Sequence, residues 1–317
     1  MDLLVVGDAN ADLVLRGGDI VPRFGQREQL VDHAELVLGG SGAILAAGAA
    51  KLGLDVAMVA CVGDDPLGRL IRDELAAAGV DVGAVRAVDA ATGVSVGLVR
   101  EDDRSMLTAT GALAHLRAED VPDEMLERAR HVHVASPFLQ DGLAPGLRAL
   151  AGRVGGTTSL DPGWDPRERW DVPVDAFDIV LPNAEEALRL AGREDGDVEA
   201  AARTLAARGP VVVVKLGADG ALAVRGGEMT RVPAPRIDVV DSTGAGDSFD
   251  AGFLAAWLGG DDAGGEVGGG EVAAGEVAGG GRLVAALTLA CACGALSTRG
   301  AGGTAAQPTL AEARALA

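Results

Sequence analysis

Short Val-rich apolar runs alternate along the chain with longer Ala/Leu-rich segments whose apolar positions recur at helical spacing. The runs predict strands over 3–7, 56–62, 132–135, 158–161, 179–181, 211–215 and 222–224. The periodic segments predict helices over 42–52, 67–78, 143–153, 184–191, 198–207, 245–258 and 282–297. Such alternation is the mark of βα units and a mostly parallel sheet covered on both faces, an α/β architecture. "GDDPLG" fits a helix start, with Asp64 or Asp65 as N-cap and Pro66 in the first turn. Two regions break the rhythm. Residues 13–38 and 92–108 carry short alternating pieces without a long helix between them, which suggests a small separate sheet acting as a lid. The competing expectation there is an irregular edge extension of the main sheet. Residues 259–281 form a Gly/Glu/Val/Ala repeat with no apolar face to bury, and predict a solvated loop between two helices.

The 317 residues suit one large domain, taken here as 1–317 with the lid as its appendage. The hydrophobic share of 48% allows a substantial core without staples. A formal net charge of -20 argues against a nonspecific grip on nucleic acid or anionic membrane, since both need a basic surface. It does not forbid an anionic ligand, because backbone dipoles act locally. Cys61, Cys291 and Cys293 lie in apolar surroundings and read as buried small hydrophobes in a reducing compartment, hence a cytoplasmic expectation. The first residues, "MDLLVVGDAN", lack the basic stretch of a signal peptide. No apolar run approaches the roughly 20 residues that span a bilayer.

Candidate chemistry concentrates in "DSTGAGDSF", 241–249. If a helix starts at Ala245, its first turn presents N–H groups without intrahelical partners. Gly244 and Gly246 keep side chains out of the way, and the helix dipole adds positive potential. The result is an anion hole suited to phosphate. Asp247 beside it has two readings. It could accept a proton from a hydroxyl that attacks a phosphoryl group, or it could simply decorate an N-terminal turn, where acids are welcome.

The same segment resembles the D-T-x-G-A-G-D signature of ribokinase-like (PfkB) carbohydrate kinases, and other stretches match that family in order. These are "GDANADL" (7–13), "GGSGAILAAGAAKLG" (39–53), "VGDDPLG" (62–68), "PNAEE" (182–186) and "KLGADG" (215–220). The resemblance spans nearly the whole chain. It implies a three-layer α/β/α fold with a lid and an ATP-dependent kinase acting on a hydroxymethyl group of a small sugar or polyol. Within it, Asp247 is the base, and Gly244, Ala245 and Gly246 form the anion hole. Asn183 and Glu186 place Mg²⁺ through water, and Lys215, Gly217 and Gly220 border the nucleotide. Asn10, Asp12, Gly39, Gly40 and Gly42 hold the acceptor. Asp241 and Thr243 match a monovalent-cation (K⁺) site completed by carbonyls near 297–301. A nucleoside kinase on the same fold, or a non-catalytic sugar-binding or regulatory protein, are the alternatives. The implied partners are the sugar and ATP, with a homodimer through the lid.

Two positions depart from the family pattern. Ile44 stands where ribokinase has an asparagine, and Ser41 where a lysine often follows the glycine pair. Isoleucine cannot bond a sugar hydroxyl, so ribose in particular is in doubt. Gln140 and Ser136 are further candidates for the pocket wall. His131 and His133 flank Val132 on a strand and point the same way; without further ligands they read as a packed pair rather than a metal site. There is no G-x-x-x-x-G-K-[ST] and no G-x-G-x-x-G after the first strand, so neither a P-loop nor a dinucleotide fold is indicated.

Overall fold

The first strand, β1 (Leu3–Val6), is buried at every position, and its side chains divide between two cores. Leu3 and Val5 join one, Leu4 and Val6 the other, as the two-residue period of a strand requires. A strand apolar on both faces belongs in the middle of a covered sheet. The computed structural model describes residues 1–100, 103–259 and 278–317. Its large sheet contains β1, β4 (Val56–Gly63), β5 (Asp81–Val88), β8 (His131–Ala135), β9 (Thr157–Asp161), β10 (Ile179–Val180), β11 (Val211–Lys215), β12 (Ala221–Arg225) and β13 (Glu228–Val232). The small sheet contains β2 (Asn10–Arg16), β3 (His33–Gly39), β6 (Val94–Arg100) and β7 (Asp103–Ala109).

The nine-stranded order is β13-β12-β11-β10-β9-β8-β1-β4-β5. All pairs from β5 to β11 are parallel, and β12 and β13 close that edge antiparallel. The chain steps outward from β1 to β5, then returns at β8 on the other side of β1. That reversal opens a crevice at the carboxyl ends of the strands, where α/β proteins bind ligands. One face is covered by α1 (Ser41–Lys51), α2 (Pro66–Ala77), α7 (Ala245–Leu258), α8 (Ala278–Ser297) and α9 (Leu310–Leu316). The other is covered by α3 (Asp123–Arg128), α4 (Leu147–Arg153), α5 (Ala184–Leu190) and α6 (Val198–Ala206). No described helix is long and apolar enough to cross a membrane.

The two regions that broke the sequence rhythm pair with each other rather than with the main sheet, in the order β3-β2-β6-β7. β2 pairs antiparallel with β3 and parallel with β6, so the small sheet is mixed. Cross-strand partners Leu36, Leu13, Val96 and Leu107 form one apolar row. Its ends are open to solvent, at 47% for Leu36 and 60% for Leu107.

Several boundaries differ from the sequence expectation. The predicted helix over 143–153 begins as a 3-10 turn, Ala144–Gly146, and becomes a regular helix only at Leu147, Gly146 being a poor helix former. α8 starts at Ala278 rather than 282. Of the loop expected over 259–281, residues 260–277 lie outside the described residues. β5, β13, α3 and α9 were not expected; β5 and β13 are sheet edges whose half-exposed sequences lack a continuous apolar run. Asp65, not Asp64, caps α2, its Oδ1 accepting from Gly68 N at 2.8 Å. Asp65 also accepts from the amide and hydroxyl of Thr92, tying α2 to the root of β6.

Candidate active site

The carboxyl ends of the parallel strands gather an unusual density of charge. Asp8 follows β1, Asp161 ends β9, Asn183 follows β10 and Lys215 ends β11. Lys215 Nζ donates to Asp161 Oδ2 at 3.0 Å and to Asp250 Oδ2, on α7, at 2.9 Å. Burial alone would strip its proton, but Asp161, Asp250 and Glu186 outweigh burial and hold the ammonium firmly charged. The sequence expectation of a lysine at the strand end is met. Its partners Asp161 and Asp250 were missed, although an acid inside the apolar run "SFDAGF" was a visible signal.

The start of α7 differs in one detail from the expected anion hole. Gly244 adopts φ +69°, the third position of a turn that favours glycine, and Ala245 N–H is bonded to Ser242 O at 3.2 Å. That amide is therefore already used. Among the described residues, the N–H groups of Gly244, Gly246 and Asp247 make no hydrogen bond, so Ala245 alone of the expected 244–246 set has its amide used, and Asp247 adds one beyond it. Gly244 is needed for another reason as well. A Cβ there would lie 2.7 Å from Gly303 Cα and 3.1 Å from Ile44 Cγ2. A Cβ on Gly246 would touch only the Lys215 side chain, at 3.7 Å, so Lys215 and the free amides share one small space.

Asp247 stands half-buried beside those amides. Desolvation, reinforced by the charges of Asp161 and Asp8, pushes its pKa up to about 8, against the opposing pull of Lys215 and a hydrogen bond from Ser41. Glu186 is pushed up to about 7, first by burial and then by Asp161. Asn183 and Glu186 form a capping box at α5: Glu186 N donates to Asn183 Oδ1 at 2.9 Å, and Asn183 N donates to Glu186 Oε2 at 2.8 Å. Glu186 Oε1 takes no hydrogen bond from a described residue. A buried carboxylate with one oxygen left open in this way is suited to a hydrated divalent cation.

Asn10 and Asp12 project from the same face of β2 and are almost fully buried. Asn10 Nδ2 donates to Asp12 Oδ1 at 2.6 Å and to Ser95 Oγ at 3.3 Å, and Ser95 Oγ lies 2.9 Å from Thr108 Oγ1. A polar chain thus runs from β2 across β6 to β7. Gly39 leaves room for it, since a Cβ there would overlap the Asp12 carboxylate at 2.2 Å. Gly40 sits at φ +93°, and Gly42 N and Ser41 N donate to the Asp8 carboxylate at 2.9 and 3.1 Å. Asp8, unremarked in the sequence, is thereby a fixed anchor of the glycine turn. Burial, against those two amides, pushes its pKa up to about 6.

Other candidates take structural places. Ile44 is buried and faces the loops at Gly244 and Gly303, where a Cβ on Gly303 would meet its Cδ1 at 2.4 Å. It props the anion-hole turn. Gln140 Nε2 donates to Ala135 O and Ser136 O inside the fold. His131 and His133 both lie within 2.7 Å of Ser159 Oγ, and burial pushes their pKa values down to about 3 and about 4, so both are neutral, packed rings. Asp241 and Thr243 are joined, Thr243 N and Oγ1 donating to Asp241 Oδ1 at 3.0 and 2.8 Å.

Beside the free amides lies a cleft of about 470 Å³. Gly217 and Gly220 form one edge, and Ile237, Phe249, Cys291 and Ala295 supply apolar walls. Gly220, at φ +92°, lets β11 turn into β12; a Cβ there would meet Val232 O at 2.0 Å. Lys215 and Gly246 line the inner end, so the cleft opens directly onto the charged centre.

Residues 1–310 match the pfkB family carbohydrate kinase pattern. An ATP-dependent ribose-1-phosphate kinase of Halopiger xanaduensis is 32% identical over 259 residues, covering 81% of this chain and 84% of the relative. The ribokinase of Arabidopsis thaliana, solved with ribose and ATP, superposes with a TM-score of 0.80 at 26% identity, over 99% of this chain and 98% of its own. A double mutant of the fructokinase of Vibrio cholerae O395, solved with fructose, ADP and potassium ion, gives a TM-score of 0.79 at 26% identity, over 100% and 98%. With the family pattern matched over residues 1–310 and the fold shared with these kinases, this chain belongs to the pfkB family of carbohydrate kinases.

Proposed function

We propose that the protein transfers the γ-phosphoryl group of ATP to a hydroxymethyl group of a small sugar or related polyol. The observation that carries this reading is the pair of unused amides at Gly246 and Asp247, set between an apolar cleft and a half-buried carboxylate. The cleft takes the adenine and ribose, Gly217 and Gly220 letting the backbone approach closely. Its inner end delivers the phosphates to Lys215 and the free amides, where negative charge is met by fixed donors. Asn10, Asp12 and the glycine turn at 39–42 hold the acceptor by its hydroxyls. As the acceptor oxygen bonds to phosphorus, the bond to the ADP oxygen breaks and the hydroxyl proton passes to the Asp247 carboxylate. Asn183 and Glu186 would hold Mg²⁺ through water, and the ion supplies neutralisation of phosphate charge. A cation there also favours the ionised form of Asp247, which in the ligand-free site is mostly protonated at neutral pH.

The apolar row Leu36–Leu13–Val96–Leu107 supports a homodimer in which a second copy covers the small sheet, an isologous contact. Free buried thiols suit a reducing, cytoplasmic setting.

The test is Asp247→Asn, assayed by ADP release over a panel of sugars, sugar phosphates and nucleosides. Turnover should fall about 10²–10⁴-fold, the usual contribution of a general base, with ATP affinity by calorimetry nearly unchanged. Full turnover in the variant sinks the mechanism. A wild-type protein that phosphorylates nothing on the panel but binds sugars would favour the non-catalytic alternative.

A further inference from the structure

The family resemblance places a monovalent cation at Asp241 and Thr243, and the carboxylate there is already full. Asp241 Oδ1 accepts from Thr243 N and Thr243 Oγ1, and Oδ2 accepts from Gly302 N at 2.8 Å and from Arg16 Nη2. A carboxylate has about four acceptor positions, and all are taken. The Thr298 carbonyl, within the stretch expected to complete the cation shell, accepts from Val240 N at 2.8 Å and Asp241 N at 3.0 Å. An ion bound there would have to displace these donors and sit beside a guanidinium. The residues present do not fit a potassium ion.

Arg16 comes from the small sheet. It is the last residue of β2, four after Asp12 and on the same strand face, and it crosses to the loop that leads into Gly244. Its side chain is 21% exposed against 4% for Asp241, so the pair is largely shielded from solvent. Burial raises the cost of the Asp241 charge, but the amides of Gly302 and Thr243, the Thr243 hydroxyl and the guanidinium keep the carboxyl below its ordinary range. Arg16 Nε is buried without a partner among the described residues, so the guanidinium is held by its pairing with Asp241 rather than by a full set of bonds.

We infer that Arg16 supplies from within the chain the positive charge that related kinases take from a monovalent cation, so that this protein needs no potassium to order its anion-hole loop. The guanidinium cannot dissociate, and it joins the strand that carries Asp12 to the loop that carries Gly244. Acceptor side and phosphate side are thus braced by one ion pair. The inference rests on the kinase reading for its meaning, but its physical content is testable without turnover.

Thermal unfolding is measured in KCl and in choline chloride at equal ionic strength, for wild type, Arg16→Ala and Arg16→Gln. Wild type should melt at the same temperature in both salts. The two variants should melt several degrees lower in choline chloride and recover, saturably, in KCl. Where turnover is measurable, it should follow the same pattern, with several-fold potassium activation only in the variants. Two outcomes overturn the inference: wild type stabilised or activated by potassium over choline, or folded variants indifferent to potassium. Should neither variant fold, the wild-type comparison still decides. Absence of phosphoryl transfer to any acceptor would count against the kinase reading and leave the melting comparison intact.

Discussion

Among the described residues, Lys215 is the positive charge in direct contact with both Asp161 and Asp250, and replacing it with methionine isolates its electrostatic role. Methionine keeps the length and apolar stem but cannot donate to Asp161 Oδ2 or Asp250 Oδ2, now 3.0 and 2.9 Å from the ammonium. Asp250 is already pushed well above its ordinary range by burial, so Asp161 is the carboxylate that Lys215 keeps ionised. Without the lysine, the buried Asp161 escapes its uncompensated charge by taking up a proton. Holding an acid of ordinary pKa 3.8 in its protonated form costs about 4 kcal/mol at pH 7 and about 1.6 kcal/mol at pH 5. The first figure agrees with the roughly 3–5 kcal/mol observed when one partner of a buried ion pair is removed. The sign follows from linkage: the variant raises the native pKa of Asp161 above its unfolded value, so the loss grows as pH rises. Urea unfolding of wild type and K215M at the two pH values should therefore show a penalty larger by about 2–3 kcal/mol at the higher pH. Adding D161N to K215M should remove most of that difference. A penalty independent of pH, or below about 1 kcal/mol at pH 7, would refute the argument.

Four further expectations follow from the same geometry. Asp247, Glu186 and Asp8 have native pKa values raised to about 8, about 7 and about 6, so the native state holds more protons than the unfolded chain above about pH 4. The ligand-free protein should lose stability as pH rises from about 4 to 8, and the melting temperature of D247N should exceed that of wild type by a margin that widens with pH. Gly220→Ala should cost about 2–4 kcal/mol in urea unfolding, because it combines a left-handed φ with a 2.0 Å overlap at Val232 O. Gly246→Ala should leave stability within about 0.5 kcal/mol yet impair phosphoryl transfer, since its Cβ meets only Lys215. Replacing Leu36 and Leu107 together with glutamate should shift the protein to a monomer in light scattering while leaving its fold by circular dichroism unchanged.

Hydrophobic patterning determined most of the fold. A continuous apolar run can be buried on both faces only inside a covered sheet, so "LLVV" and "VVVVK" announced central strands, and the interruptions at 13–38 and 92–108 announced a second sheet. The glycines of "TGAGD" likewise announced a helix start, and α7 does begin at Ala245 with Gly244 in the left-handed region. What the pattern could not supply was partnership across the chain. That Ala245 N–H is consumed by Ser242, that Lys215 sits between Asp161 and Asp250, and that Arg16 reaches Asp241 across 225 residues are facts of packing. Local spacing fixes periodicity, caps and turns, which depend on neighbours a few residues away. Charge balance in a buried site depends on which distant strands end side by side, and only the assembled tertiary structure brings those ends together.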